Sequence, residues 1–548
     1  MMDLLLDVDI VVDVCSGRRP WSFSSAEAIC KCRDSGQRVW LYTGSVQNME
    51  FAVAKEIYHL NRERGFSLAK SLDAAREVLA EFCKDKHWLA SLAEEGPVFC
   101  SEDPEGEQFV RALKRFSNHS IKILTRDSRL AARYPEYTIA PEEYLEQGGD
   151  ATGVEFVDLQ AQQDRIRPGL ERRVHRVLHH GKYVMGPEIK ELEESLSSFV
   201  GCKHCISCSS GTDALLMALM ACGVGPGDAV FTSPFTFIAT AEVIALLGAT
   251  PVFVDIDPLT FNMDPLQLET AIQAVQNNHP EIYPLPGYLS SASNGTANSL
   301  NPGCILPVDL FGLPSDYDSI HRVADKYGLR VVEDAAQSLG ALYHGRSAGN
   351  LAHIGCTSFF PAKPLGAYGD GGALFTDDED LAQELVSIRV HGQGGHKYDN
   401  DRIGINARLD SMQAAVLQSK LEIFPEEIES RQRAAGRYRE ILNSVPGLQN
   451  PVVPAGYTSA WAQYSLLAQN QEQRELLQSG LRHRGIPSVI YYPKPLHQQS
   501  AFAYLGYGPS DMPTSQDCAQ RIFSLPMHPY LSENEQERIC SCISKTCS

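Results

Sequence analysis

Apolar and polar positions along the chain change with two different periods. In the first 145 residues, "DLLLDVDIVVDV", "RVWLYTG" and "SIKILTRD" are short apolar runs closed by polar residues, the pattern of buried strands. Between them "SLDAAREVLAEFCKD" is apolar at helical spacing. Strands alternating with helices predict a compact α/β unit with a parallel sheet over 1–145. The polar, Gly-rich "EQGGDATG" reads as a linker, assigned to 146–154. A larger α/β pattern fills 155–430. "DAVFTSP", "TPVFVDI", "CILPVDLFG" and "LRVVEDAA" read as strands, and "GTDALLMALMACG" and "DYDSIHRVADKYG" as helices. Ligands of open parallel sheets sit beyond the carboxyl ends of the strands, so the polar tips Asp309 and Asp334 mark the expected functional edge. Residues 279–303, rich in Ser, Asn, Gly and Pro with no apolar period, read as a flexible surface insertion. From 431 to 548 the helical "ESRQRAAGRYREIL" mixes with short strands "AQYSLLA" and "PSVIYYP", which predicts a smaller α+β domain packed on the large one.

Length and composition narrow this picture. A chain of 548 residues suggests two to four domains, and 43% hydrophobic with 21% charged residues suits a globular protein. A net charge of −20 gives no sign of broad binding to a polyanion, so nucleic acid would need a local site. No apolar run is long enough for a membrane-spanning helix. The start "MMDLLLDVDIVVDVC" carries Asp3, Asp7, Asp9 and Asp13 where a signal peptide needs an uncharged core, so a cytoplasmic protein is expected. Fifteen scattered cysteines suit reduced thiols. "CKHCISC" has metal-like spacing in Cys202, Cys205 and Cys208 but lacks a second knuckle, which favours a structural reading.

The chemistry concentrates in "TSFFPAKPLGAYGDGGALFTDD". Lys363 stands beside Phe359, Phe360 and Leu365, and four glycines follow at 366, 369, 371 and 372. Apolar surroundings disfavour an ammonium, so this amine becomes a candidate nucleophile, able to condense with an aldehyde such as pyridoxal phosphate. In "LRVVEDAAQSLGA", Asp334 at a strand tip would keep a pyridine nitrogen protonated, with Gln337 within reach of the ring hydroxyl. In "SSGTDALLMAL" a Gly turn opens a helix, an anion site in which Ser210, Gly211 and Thr212 are candidate phosphate donors; Ser358 would add a hydroxyl. Each signal has a bland reading, namely a surface lysine, a strand-end cap or a plain N-cap. Their combination in this order is what points to one cofactor.

These segments, with "SPFTFIATAE", "HGQ", "IGINARLDSMQAA" and "YYPKPLH", occur in the order seen in the DegT/DnrJ/EryC1/StrS sugar aminotransferases, which the chain resembles from about 154 to 535. The resemblance implies a fold-type-I pyridoxal phosphate (PLP) aminotransferase with a large α/β domain, a small α+β C-terminal domain and a homodimer with shared active sites. It implies that Lys363 joins the cofactor covalently, Asp334 pairs with the ring nitrogen and Gln337 with the ring oxygen. Gly211, Thr212 and Ser358 would hold the phosphate, Phe237 would stack on the ring, and Asn406 would reach the phosphate from the other subunit. Arg408 would then lie near the substrate, and His497 would approach the sugar. The implied reaction moves nitrogen from glutamate to the ketone of a UDP- or dTDP-linked sugar at C3 or C4, in polysaccharide or glycoconjugate precursor synthesis. The wording around "ARLDSMQAAVLQSKLEIF" resembles the C3 aminases of UDP-linked 3-keto-hexuronic acids. Related dehydratases carry histidine where this chain keeps Lys363.

Such enzymes do not need residues 1–145. "LLLDVDIVVDV" resembles the opening of PIN-like nuclease domains, and on that pattern Asp7, Glu50, Asp103 and Asp127 would hold Mg²⁺ or Mn²⁺. A metal-dependent ribonuclease is therefore the alternative reading, while an inactive interaction or regulatory domain is the leading one for this half.

Overall fold

The computed structural model describes residues 154–547, apart from 288–298 and Lys397; of the first 153 it describes 3–6, 39–42, 87–89, 121–125, 138–139 and positions 53, 75 and 79. The chain divides into two compact units, Met1–Thr152 and Gly153–Ser548.

In the first unit, β1 (Asp3–Leu6), β2 (Val39–Tyr42), β3 (His87–Leu89), β4 (Ile121–Leu124) and β5 (Thr138–Ile139) form one sheet in the order β3-β2-β1-β4-β5. Every pair is parallel. Strand order reverses at β1, the mark of a doubly wound sheet. The three expected strands are there; β3 and β5 were too short to stand out. Ala75 and Leu79 are buried helical positions one turn apart inside the expected helix.

The second unit is built on a seven-stranded sheet. Its strands are β6 (His204–Cys208), β7 (Asp228–Thr232), β8 (Thr250–Phe253), β9 (Asn301–Leu306), β10 (Arg330–Asp334), β13 (Ile354–Ser358) and β14 (Gly372–Thr376), in the order β6-β14-β13-β10-β9-β7-β8. Outside it the short β11 (Leu342–Tyr343) pairs on one side with β12 (Arg346–Ser347) and on the other with β15 (Tyr457–Thr458). Neighbouring residues feed opposite faces. Phe231, Ile305 and Val331 enter one core, whereas Val230, Leu306 and Val332 enter the other. Both faces are thus covered by helices, which is why these strands read as continuous apolar runs.

Several expectations are corrected. The sheet is mixed, not parallel: β14 runs antiparallel to both β13 and β6, because the chain returns from Ser358 to Gly372 without a crossover helix. The expected insertion 279–303 is not all surface. Tyr283, Leu285 and Leu300 are buried in the core and β9 already starts at Asn301, so a few apolar anchors were hidden by polar composition; 288–298 lie outside the described residues. "PSVIYYP" is not a strand but a single bridge from Val489 to Ser524. The C-terminal pair is β16 (Tyr464–Leu467) with β17 (Ile522–Leu525). The helix Phe424–Leu442 runs unbroken through the expected boundary at 430, and Val154, assigned to the linker, is buried in the same core as Tyr438.

Candidate functional site

The carboxyl tips of β6, β10 and β13 carry the chemistry. Beyond β6, Ser210 caps the helix Gly211–Ala221 by accepting the Asp213 N–H at 3.0 Å. The Ser209 and Ser210 hydroxyls both donate to the Asp213 carboxylate, at 2.5 and 2.8 Å. Ser210 is therefore committed to the cap. Gly211 and Thr212 occupy the first turn, where helix carbonyls do not reach the N–H groups, and these are the donors left for an anion. Ser358, at the end of β13, closes the same turn: a Cβ on Gly211 would sit 2.6 Å from the Ser358 Cβ.

The glycines after Lys363 serve close approach. None of the four has a positive φ. A Cβ would lie 2.4 Å from the Pro361 carbonyl oxygen at Gly366 and 2.4 Å from the Ser210 carbonyl oxygen at Gly372. Gly366 thus lets the Lys363 loop fold back on Pro361, and Gly372 brings the start of β14 against the turn at 210–211.

Lys363 is partly exposed, while Phe359 and Leu365 beside it are buried; Phe360 points outward, 54% exposed. Desolvation pulls the Lys363 amine below its ordinary range, against the opposing pull of the Asp334 charge. Asp334 is buried at the tip of β10. Burial raises its carboxyl, and the Thr240 hydroxyl, the Ala336 N–H and the Lys363 charge act in the other direction. Thr240 Oγ1 donates to Asp334 Oδ2 at 2.8 Å. Gln337 is buried with its amide orientation set: Oε1 accepts the Phe311 N–H at 2.6 Å, and Nε2 donates to the Tyr492 hydroxyl at 3.2 Å, leaving one N–H. Asp309 lies deeper, its carboxyl pushed up to about 6 by burial and held by Ser315, Ser338 and Tyr317.

Phe237 is 56% exposed ahead of the helix Ala239–Leu246. Asn406 is exposed and accepts from Arg408 Nε at 2.9 Å; between them the Ala407 carbonyl accepts the Ser209 N–H at 3.1 Å, so this segment lies along the phosphate turn of its own chain. His497 departs from expectation. It is 3% exposed with Nε2 3.5 Å from the Pro509 carbonyl, and its ring offers no surface to a sugar. Cys205 and Cys208 are buried on β6, and burial raises their thiols. Among the described residues no group of three His, Cys, Asp or Glu is placed to hold a metal, and no helix is long and apolar enough to cross a membrane. Asp7, Glu50, Asp103 and Asp127 lie outside the described residues.

Sequence reasoning missed Thr240, Thr236 and Tyr492. The first two are hydroxyls four residues apart in "TFIAT" that meet at 3.2 Å where the chain enters the helix Ala239–Leu246. Tyr492 carried none, because its contact spans 155 positions.

A desolvated amine, a buried carboxylate and a helix N-terminus at one sheet edge suit a planar ligand with an aldehyde, a basic ring nitrogen and a phosphate. PLP has these groups, and the donors fit it.

Comparison with known proteins agrees. Residues 165–544 match the model of the DegT/DnrJ/EryC1/StrS aminotransferase family. The UDP-2-acetamido-2-deoxy-3-oxo-D-glucuronate aminotransferase of Pseudomonas aeruginosa is 45% identical over 391 residues, 71% of this chain and 99% of that protein. A crystal structure of a DegT DnrJ EryC1 StrS aminotransferase from Brucella abortus is similar at 48% identity and a TM-score of 0.66, covering 72% of this chain and 99% of that one. A putative sugar aminotransferase from Streptococcus pneumoniae, solved in PMP and PLP forms, matches at 25% and 26% identity with a TM-score of 0.61, covering 69% of this chain and 96% of that one.

Proposed function

The chain belongs to the DegT/DnrJ/EryC1/StrS aminotransferase family, and on that premise we propose that it transfers an amino group from glutamate to the C3 ketone of a UDP-linked 3-keto-hexuronic acid, using PLP. The observation that carries the reading is the Lys363 amine, desolvated and opposed by the buried Asp334 at a sheet edge that also ends in a helix N-terminus. The relative from Pseudomonas aeruginosa, named for a 3-oxo-glucuronate, supports the sugar and the position.

When bound, PLP supplies an aldehyde that takes up amines and a ring that absorbs electrons from the neighbouring carbon. Gly211, Thr212 and Ser358 would hold its phosphate. Asp334 would keep the ring nitrogen protonated, and the remaining N–H of Gln337 would serve the ring oxygen. Phe237, exposed in the isolated chain, would cover one side of the ring. Lys363 Nζ, lowered by desolvation, would accept the proton leaving the donor carbon in the first half of the transfer and donate a proton to the sugar carbon that gains nitrogen in the second, which is general acid–base catalysis. In a homodimer Asn406 would reach the phosphate bound by a second copy, and Arg408 would stand by the substrate.

The test is a panel of UDP- and dTDP-linked keto-sugars with glutamate, with product masses read by mass spectrometry. Amination of the UDP-3-keto-hexuronic acid alone supports the reading, and no amination of any member contradicts it. For Met1–Thr152, the all-parallel sheet supports a PIN-like unit in an interaction or regulatory role. Mn²⁺-dependent RNA cleavage by the full chain, lost in Asp7→Asn, would instead assign it nuclease activity.

A further inference from the structure

The Asp334 carboxylate is not held by the sheet alone. Thr240 is 1% exposed and Thr236 3% exposed, so neither hydroxyl has water to bond. Thr240 Oγ1 lies 2.8 Å from Asp334 Oδ2 and 3.2 Å from Thr236 Oγ1, while Asp334 Oδ1 accepts the Ala336 N–H at 3.2 Å. The direction of this chain depends on charge. An ionised carboxylate only accepts, so Thr240 must donate to it and, with its one proton used, must accept from Thr236. A neutral carboxyl would allow the reverse. The bend at Thr236 and the first turn of the helix Ala239–Leu246 therefore deliver two hydroxyls in series to one carboxylate.

We infer that Thr240, oriented by Thr236, is a positioning residue that fixes the Asp334 carboxylate as an anion aimed at the cofactor ring nitrogen. This rests on the PLP reading above. Lys363 also favours the anion, but its charge is lost whenever the amine is deprotonated. The hydroxyl chain remains through every stage, so it supplies the constant part of the support.

The test compares full-length wild type, Thr240→Val, Thr240→Ser and Thr236→Val by absorbance titration of the apoprotein with PLP, and by the pH at which the absorption band of the bound cofactor changes. Thr240→Val keeps the shape and loses the donor. It is expected to weaken PLP binding roughly 10- to 100-fold, the span of a hydrogen bond to a charged group, and to move the pH of the band change. Thr240→Ser should stay within about threefold of wild type, and Thr236→Val should shift both readouts less, in the same direction. In an Asp334→Asn background, which has no carboxylate to orient, Thr240→Val should add no further loss. Equal weakening in both backgrounds, or wild-type affinity and band pH in Thr240→Val, overturns the inference. If Thr240→Val does not fold, Thr236→Val decides: an unchanged affinity and band pH overturns it. Failure of the wild type to take up PLP is a separate result and strikes the proposed function itself.

Discussion

One substitution, made at two glycines, should act with opposite sign. At Gly211 an alanine Cβ would lie 2.6 Å from the Ser358 Cβ and 3.2 Å from its Cα. Ordinary carbon contacts are near 3.5–4.0 Å, so the turn and the strand end must part by about 1 Å. Ser358 cannot yield by rotating, because its Cβ and Cα move only with the backbone. Overpacking of this kind costs about 1–3 kcal/mol. It also pulls the Gly211 and Thr212 N–H groups away from the Ser358 hydroxyl, so PLP affinity falls with stability. Gly169 lies inside the helix Leu159–His180 with nothing within 4 Å of its would-be Cβ. There alanine removes unfolded-state freedom and should gain about 0.5–1 kcal/mol. The assay is urea unfolding of the apoprotein variants, followed by PLP titration. Gly211→Ala with an unchanged midpoint and unchanged affinity would refute the packing argument, as would a loss at Gly169 equal to that at Gly211.

Other outcomes follow from buried charge. Lys420 is fully buried, its Nζ has no hydrogen-bond partner and sits 4.4 Å from the centre of the Tyr368 ring. Burial lowers its amine to about 8 from the ordinary 10.5, with the Glu427 charge opposing. Between those values the unfolded chain binds the extra proton, so this group makes stability rise with pH across that window and costs most below 8. Lys420→Met should raise unfolding free energy at pH 7 by on the order of 2–3 kcal/mol and flatten the rise above pH 8, as read by urea midpoints at pH 7 and 10; a lower midpoint at pH 7 contradicts this. Asp334→Asn should cut amination at least ~100-fold, by loss of the charge facing the ring nitrogen, with only a small change in circular dichroism; near-normal turnover would contradict the assigned role.

Local patterns carried most of the site into view. Lys363, Asp334 and the turn at 210–212 were each written in a few adjacent residues, whereas the close packing served by the glycines emerged only from the geometry. What was hidden depended on distance along the chain. The antiparallel β14 follows from a missing crossover helix rather than from its own composition. The burial of Tyr283 and Leu300 needed a core partner that sequence does not name. The commitment of Ser210 to Asp213 was local and still missed, because a cap and a phosphate donor use the same hydroxyl. His497 looked available because histidine often reaches ligands; packing decided otherwise.

The central claim is that one amine, at Lys363, is the group this protein uses to hold PLP and move protons. Borohydride reduction of the full chain with PLP, followed by peptide mass mapping, tests it directly. A pyridoxyl adduct on Lys363, absent from Lys363→Ala, is the predicted result; an adduct on another lysine, or none on wild type, would contradict it.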